Sequence, residues 1–301
     1  MQIDYKKIMP GILELVGNTP LVELKHIPVN KNVTIYAKLE SFNPGGSVKD
    51  RAAYGMIKGA IDRGEIKEGI KLIEATSGNT GIALALIASL FKVEIELVMP
   101  EDSTRERVLT MQAFGAKVIL TPKERSMEGA IDYANEQLAK GGYLMLNQFA
   151  NPDNAGMHYK TTGPEIWKDT NGTVTHFVSS MGTTGTIMGV SKYLKEQNPA
   201  IQIVGCQPTD GSRIPGIRKW PEAYLPKIFD RKRIDRIIEL DEAEARSMTR
   251  RLVREEAIFA GMSSGGAVHA AIELSKELSS GVIVCIVCDS GDRYLSSGLF
   301  D

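Results

Sequence analysis

The sequence predicts an α/β fold made of two open, twisted, mainly parallel sheets flanked by helices. Two observations carry that expectation. Short runs rich in aliphatic and β-branched residues recur along the chain, and the stretches between them are long enough for crossover helices. Glycine-rich turns also stand where strands would hand over to helices, a connection at which glycine is the default residue.

In chain order the strand candidates are TIYAKLE at 34–40, IKLIEA at 70–75, VEIELVMP at 93–100, AKVILTP at 116–122 and YLMLNQ at 143–148. THFVSSM at 175–181 follows, then a helical segment over 184–197 and a further strand, IQIVGCQP, at 201–208. Residues 209–236 contain Pro215, Pro221 and Pro226 without clear periodicity and read as an irregular surface or active-site loop. Asp241 starts a charged helix, EAEARSMTRRLVREE, a second helix covers 264–278, and VIVCIVCD at 282–289 reads as a buried last strand. This layout divides into a small lobe over 40–143 and a large lobe made of 1–39 and 144–301. Ligands are expected in the crevice outside the carboxyl ends of the strands.

The 301 residues carry 36 Lys plus Arg against 37 Asp plus Glu, a net charge of −1, which argues against nucleic acid as a partner because phosphate neutralisation needs a concentrated positive field. Three cysteines, Cys206, Cys285 and Cys288, are too few and too irregular for a disulfide framework and point to the cytoplasm. The N-terminus lacks the apolar core of a secretory signal, and the longest apolar stretch, 82–91, is about half a membrane span, so no membrane anchor is expected. No metal site is expected either. The four histidines show no ligand spacing, and Cys285 and Cys288 read as buried structural thiols in an apolar strand.

Four turns are candidates for chemistry: NPGGSVKDR at 43–51, TSGNTG at 76–81, MGTTGT at 181–186 and GMSSGG at 261–266, each placed after a strand and at the opening of a helix. A helix start aims unpaired N–H groups outward, so four such turns point to a bound anionic cofactor. None is a Walker A loop, and no Gly-x-Gly-x-x-Gly follows the early strands. Gly261 to Gly265 matches the Gly-x-Ser-x-Gly hydrolase elbow, but the only downstream histidine, His269, precedes the candidate acids Asp289 and Asp292, the wrong order for that triad. Lys49 sits just after the first glycine turn, where a helix dipole and partial burial disfavour the ammonium and favour an amine nucleophile. Together with the threonine-rich loop at 182–186, it points to pyridoxal phosphate.

The ordered stretches GNTPLV (17–22), NPGGSVKDR, IEATSGNTGIALA (73–85), NPDN (151–154), TTGPEIW (161–167), THFVSSMGTTGTI (175–187), IPGIRKWP (214–221) and CDSGDRYLS (288–296) carry a resemblance over nearly the whole chain. The sequence resembles the fold-type II, tryptophan synthase β-like pyridoxal-phosphate enzymes, specifically the cysteine synthase (O-acetylserine sulfhydrylase) family and most closely its B branch. The resemblance implies that pyridoxal 5′-phosphate is attached covalently to Lys49, with Asn79 at its 3′ oxygen and Ser263 at its pyridine nitrogen. Gly182, Thr183, Thr184, Gly185 and Thr186 would hold its 5′-phosphate, a role that backbone N–H groups, hydroxyls and a helix dipole can fill without Arg or Lys. The substrate carboxylate is assigned to Thr76, Ser77, Asn79, Thr80 and Gln148, with closure of the small lobe over the bound amino acid.

The implied reaction is a ping-pong β-replacement in which O-acetyl-L-serine loses acetate and gains sulfur, with Lys49 moving the α-proton. Sulfide gives L-cysteine, and B-type relatives also take thiosulfate to S-sulfocysteine. The loop at 213–236 holds eight Lys or Arg against three acids, and Arg213, Arg218 and Lys219 beside Trp220 are expected to attract the sulfur anion at the site entrance. Lys219 stands where the B branch has a second arginine, so a planar fork is replaced by a point charge. The resemblance also implies a homodimer. Rival readings are O-phosphoserine sulfhydrylase, a cystathionine β-synthase-like replacement, a dehydratase and, from a different class, a non-catalytic binding or regulatory protein on the same fold.

Overall fold

A computed structural model of the chain describes residues 11–301; the first ten residues of the expected large lobe lie outside the described residues. The strands are β1 (Leu21–Glu23), β2 (Val33–Leu39), β3 (Lys71–Ala75), β4 (Ile95–Pro100), β5 (Lys117–Thr121), β6 (Tyr143–Leu144), β7 (His176–Ser180), β8 (Gln202–Pro208), β9 (Arg236–Leu240) and β10 (Gly281–Val287). The helices are α1 (Lys49–Asp62), α2 (Asn79–Leu90), α3 (Arg105–Ala113), α4 (Ser126–Lys140), α5 (Pro152–Lys160), α6 (Thr162–Asp169), α7 (Gly185–Gln197), α8 (Glu242–Glu256) and α9 (Met262–Glu277).

They form a six-stranded sheet in the order β1-β2-β10-β7-β8-β9 and a four-stranded sheet in the order β5-β4-β3-β6. All pairings are parallel except β1 with β2. Strand β10, late in the chain, lies between β2 and β7, with Val287 opposite Leu39 and Cys285 opposite Val178. This placement brings the loops leaving β2, β7 and β10 to one edge of the large sheet, the crevice in which open α/β sheets bind ligands.

The unbroken apolar run of β10 follows from burial on both faces. Ile283, Cys285 and Val287 pack into a core with Ala267, Ala271 and Leu274 of α9, whereas Val284 and Ile286 pack into a second core with Ile187, Val190 and Leu194 of α7. Each large aliphatic side chain removed from water in this way contributes roughly 1.5–3 kcal/mol. The stretch at 82–91 is explained likewise: α2 is buried all round, from Thr80 to Ala88, against α1, β3 and β4. Among the described residues no helix is long and apolar enough to cross a membrane.

A buried ionic network fixes the turn between β2 and α1. Arg51 Nε and Nη2 donate to Glu40 at 2.7 and 2.8 Å, and Arg51 Nη1 and Nη2 donate to Glu165 of α6 at 2.6 and 2.7 Å. Lys38 Nζ lies 2.9 Å from Glu165, Thr19 Oγ1 donates to Glu40 Oε1 at 2.8 Å, and Asn43 Nδ2 donates to Glu40 Oε2. Burial alone would raise the Glu40 pKa, but the Arg51 charge overrides it and holds the carboxyl below its ordinary value.

Several expectations need correction. The strand expected at 143–148 pairs with β3 only at Tyr143 and Leu144; Asn147 turns the chain at φ 53, and the Asn147 amide donates to buried Glu74 instead of a neighbouring strand. The irregular loop expected over 209–236 gives way at Arg236 to strand β9, RIIEL, an edge strand paired with β8. Helix α9 starts at Met262, and the turn before it follows α8 and the isolated Ala260 to Ser290 bridge, not a regular strand. Cys288 is no strand residue: it lies one position past β10, partly exposed, where the crevice begins.

Candidate active site

The first glycine turn presents Lys49 at the opening of α1. Gly46 has φ +76, and a side chain on Gly45 would fall 2.6 Å from Asp50 Oδ1, so neither position accepts another residue without rearrangement. The Val48 amide donates to Cys288 O at 2.8 Å, and Ser47 forms a bridge with Asp289, which fastens the residues before Lys49 to the end of β10.

Across the cleft, β7 ends at Ser180 and the chain turns through Thr184, held left-handed at φ 69, into α7. Gly182, Thr183, Thr184 and Thr186 line the same cleft as Lys49, together with Asn79 and Ser263. Gly185, the remaining member of the expected phosphate loop, is absent from this lining; a Cβ there would meet the Asn154 side chain of α5 at 2.0 Å. Ser263 occupies the first turn of α9, and its carbonyl accepts from Ser180 Oγ at 2.6 Å.

The entrance loop is attached directly to this wall. Arg218 donates its amide to Met181 O, and Trp220 Nε1 donates to Gly182 O, both at 2.8 Å. Gly216, at φ +87, passes close to Ser263, where a Cβ on it would stand only 3.3 Å from Ser263 Cβ. The Arg218 guanidinium lies over the Trp220 ring, 5.2 Å from its centroid, and no carboxylate pairs with it among the described residues. Lys219 departs from expectation. Its ammonium is held by Asp210 at 3.0 Å and Glu239 at 2.9 Å, which hydrogen-bond it and raise its pKa, so its charge is spent locally and does not serve as a free anion attractor.

The expected carboxylate-binding residues divide. Asn79 opens α2 and faces the cleft; its Nδ2 donates to Asp289 Oδ2 at 2.7 Å, and Arg293 donates to its Oδ1. Thr76, Ser77, Thr80 and Gln148 do not line the cleft itself. Thr76 Oγ1 accepts from the Gly78 amide at 3.4 Å, Arg107 donates to the Ser77 carbonyl, and Thr80 Oγ1 donates to Gln148 Oε1 at 2.8 Å. With its oxygen engaged by Thr80, the Gln148 amide has its Nε2 donors left for an incoming carboxylate.

Sequence reasoning missed Ser180, Gly216, Cys288, Asp289 and Tyr294, all of which line the cleft. The stretches IPGIRKWP and CDSGDRYLS contain four of them, but nothing in their spacing indicates which side chains turn inward. Asp289 Oδ2 accepts from Tyr294 OH at 2.7 Å as well as from Asn79. Burial of its sulfur pushes the Cys288 thiol up to about 11, against the opposing pull of the Lys49 charge.

Two buried polar atoms on this wall have no partner among the described residues, Thr184 Oγ1 and Asp289 Oδ1. Buried groups are normally satisfied. An orphaned hydroxyl beside two further threonine hydroxyls at a helix N-terminus, facing a lysine amine, fits a phosphorylated aldehyde such as pyridoxal phosphate. Among the described residues no group of His, Cys, Asp and Glu is arranged to hold a metal ion.

Comparison with known proteins agrees with this chemistry. The family described as pyridoxal-phosphate dependent enzyme matches residues 12–289. The chain is 58% identical over 301 residues to cysteine synthase B of Pseudomonas aeruginosa, covering 100% of this chain and 99% of the other. It is 52% identical over 292 residues to cysteine synthase B of Escherichia coli, covering 97% and 96%. The crystal structure of cysteine synthase from Entamoeba histolytica superposes with a TM-score of 0.92 at 39% identity, covering 98% of this chain and 91% of that one.

Proposed function

The chain belongs to the pyridoxal-phosphate-dependent enzymes, and from that premise we propose that it makes L-cysteine from O-acetyl-L-serine and sulfide by β-replacement. The observation that carries the reading is the shared lining of one cleft by Lys49, the Thr183, Thr184 and Thr186 hydroxyls and Ser263. Pyridoxal phosphate bound there supplies the electron sink that loosens the α-proton and lets a β-substituent leave.

The residues divide the remaining work. Lys49 would hold the cofactor and, once a substrate amine has taken its place there, its amine would accept the α-proton and later return it. The loop from Gly182 to Thr186 holds the phosphate, with the α7 dipole added to its hydroxyls. Ser263 would offer the cofactor's ring nitrogen a neutral hydroxyl, which would not keep that nitrogen protonated as a carboxylate would. A weaker sink favours prompt loss of acetate over transamination or racemisation. When the lobe over 40–143 closes on the lobe formed by 144–301 and the N-terminal segment, excluding water, Thr76, Ser77, Thr80 and Gln148 join Asn79 at the cleft to receive the carboxylate.

A second sulfur donor, thiosulfate, is favoured by one observation, the Arg218 guanidinium above Trp220 on the loop joined to Gly182, without a carboxylate partner among the described residues. Arg218 alone carries this part of the proposal, since Lys219 is engaged elsewhere. The cytoplasm is the expected compartment, supported by three free cysteines, and a homodimer is the expected assembly.

The test is turnover of the purified protein loaded with pyridoxal phosphate, offered O-acetylserine or O-phosphoserine with sulfide, thiosulfate or homocysteine. Cysteine from O-acetylserine and sulfide is the expected main product. Preference for O-phosphoserine, or for homocysteine, would replace this reading with one of its rivals, and a colourless protein inert to every pair would remove the enzyme reading.

A further inference from the structure

Helix α5 lies directly behind the phosphate loop, because α7 carries glycine at the two positions where the helices meet. A Cβ on Gly185 would stand 2.0 Å from Asn154 Oδ1, and one on Gly189 would stand 2.2 Å from Ala155 O and 2.6 Å from His158 Cβ. The close approach brings two buried α5 side chains, one helical turn apart, onto the loop threonines: Asn154 Nδ2 lies 3.3 Å from Thr183 Oγ1, and His158 Nε2 lies 3.3 Å from Thr186 Oγ1. Neither Asn154 nor His158 lines the cleft.

Resting on the cofactor reading above, we propose that Asn154 and His158 are positioning residues that set the polarity of the phosphate cradle, donating to the oxygens of Thr183 and Thr186 so that both hydroxyl protons are left for the phosphate. For Thr183 the hydrogen-bond inventory requires it. Asn154 Nδ2 also donates to Gln148 O at 2.8 Å, an atom that can only accept, which fixes the amide orientation. Thr183 Oγ1 therefore accepts from Asn154 and from the Gly185 amide at 3.4 Å, and its own proton goes elsewhere.

For Thr186 the direction is set by the histidine tautomer. His158 Nδ1 lies 2.8 Å from Thr162 Oγ1, and that buried hydroxyl has no other hydrogen-bond partner among the described residues. A buried hydroxyl left without an acceptor costs free energy, so Thr162 donates to Nδ1. A neutral imidazole then carries its proton on Nε2 and donates to Thr186. The ring is neutral because burial, and after it the Arg51 charge, depress its pKa to about 3. A dianionic phosphate is thus met by hydroxyl protons without a cationic side chain from the loop.

The test is titration of the full-length apoprotein with pyridoxal phosphate, followed by the ³¹P resonance of the loaded protein and the ¹⁵N resonances of His158. The wild type is expected to show a protonated Nε2 and a bare Nδ1. His158→Leu is expected to weaken cofactor binding about tenfold and to move the ³¹P line, whereas His158→Gln, whose amide nitrogen can replace Nε2, stays within about twofold. Thr162→Val is the second variant and is close in shape to the native residue. It is expected to weaken binding severalfold from a position without cofactor contact, with an unfolding midpoint of the apoprotein close to wild type. Unchanged affinity and ³¹P shift in both His158→Leu and Thr162→Val, or a proton on Nδ1, would overturn the proposal while leaving the cofactor reading intact. A wild type that takes up no pyridoxal phosphate would overturn both.

Discussion

Thr80 donates its hydroxyl to Gln148 Oε1 at 2.8 Å, joining the start of α2 to the loop that follows β6. The two residues come from segments 68 positions apart, and the bond decides which end of the Gln148 amide is available to a substrate carboxylate. Thr80→Val releases that constraint and leaves the buried amide oxygen without its donor. The expected outcome in steady-state assays is a KM for O-acetylserine raised about fivefold, with kcat changed much less, the size of one hydrogen bond of roughly 1 kcal/mol.

Arg218 and Lys219 are adjacent in sequence but differ in what they hold, and kinetics should separate them. Lys219→Ala is expected to leave the use of both sulfide and thiosulfate within about twofold, since its charge is committed to Asp210 and Glu239. Arg218→Ala is expected to reduce kcat/KM for thiosulfate about tenfold relative to sulfide, by loss of a charged contact. Competition between the two donors in one reaction vessel reads the ratio directly.

The buried network at Arg51 predicts a large stability loss with a defined cause. Arg51→Leu leaves Glu40 and Glu165 without their shared cation, and breaking a buried pair from one side costs about 3–5 kcal/mol. Urea unfolding at pH 7 should show that loss, and adding Glu40→Gln to the variant should recover part of it by removing one stranded charge.

Glu74 gives stability a pH dependence of known sign. Burial raises its pKa from 4.5 to about 7, although the amides of Asn147, Leu146 and Gln148 pull it down. Between those values the folded chain keeps a proton that the unfolded chain has released, so stability falls as pH rises, by up to about 1.4 kcal/mol per pH unit. Buried Asp50, also raised to about 7, titrates in the same window, so the informative quantity is the difference between variant and wild type. Glu74→Gln is expected to melt higher than wild type at pH 8 and at the same temperature near pH 4.5.

The fold class was legible because β10 and α2 are apolar on every side and their neighbours alternate with helix-length stretches. The glycine turns were legible because glycine is needed there, by backbone conformation at Gly46 and by close approach of neighbouring atoms at Gly45, Gly182 and Gly261. What sequence did not reveal depends on tertiary pairing. Glu239, which neutralises Lys219, lies on an edge strand whose short RIIEL run has no independent signal. Cys288 is a cleft residue and not a core thiol because β10 ends at Val287, two residues before the expected end at 289. His158 reaches Thr186 only because Gly189 lets two helices touch, and a lone histidine in KTTG-flanking sequence carries no trace of that contact.

The central claim is that Lys49 carries the cofactor and is released to substrate in the cleft it shares with Thr183, Thr184, Thr186 and Ser263. Its most direct test is borohydride reduction of the protein loaded with pyridoxal phosphate, before and after O-acetylserine is added, with peptide mass spectrometry to locate the label. A phosphopyridoxyl group on Lys49 alone, lost when substrate is present before reduction, is the expected result. A label on another lysine, or none on a protein that has bound the cofactor, would contradict the account.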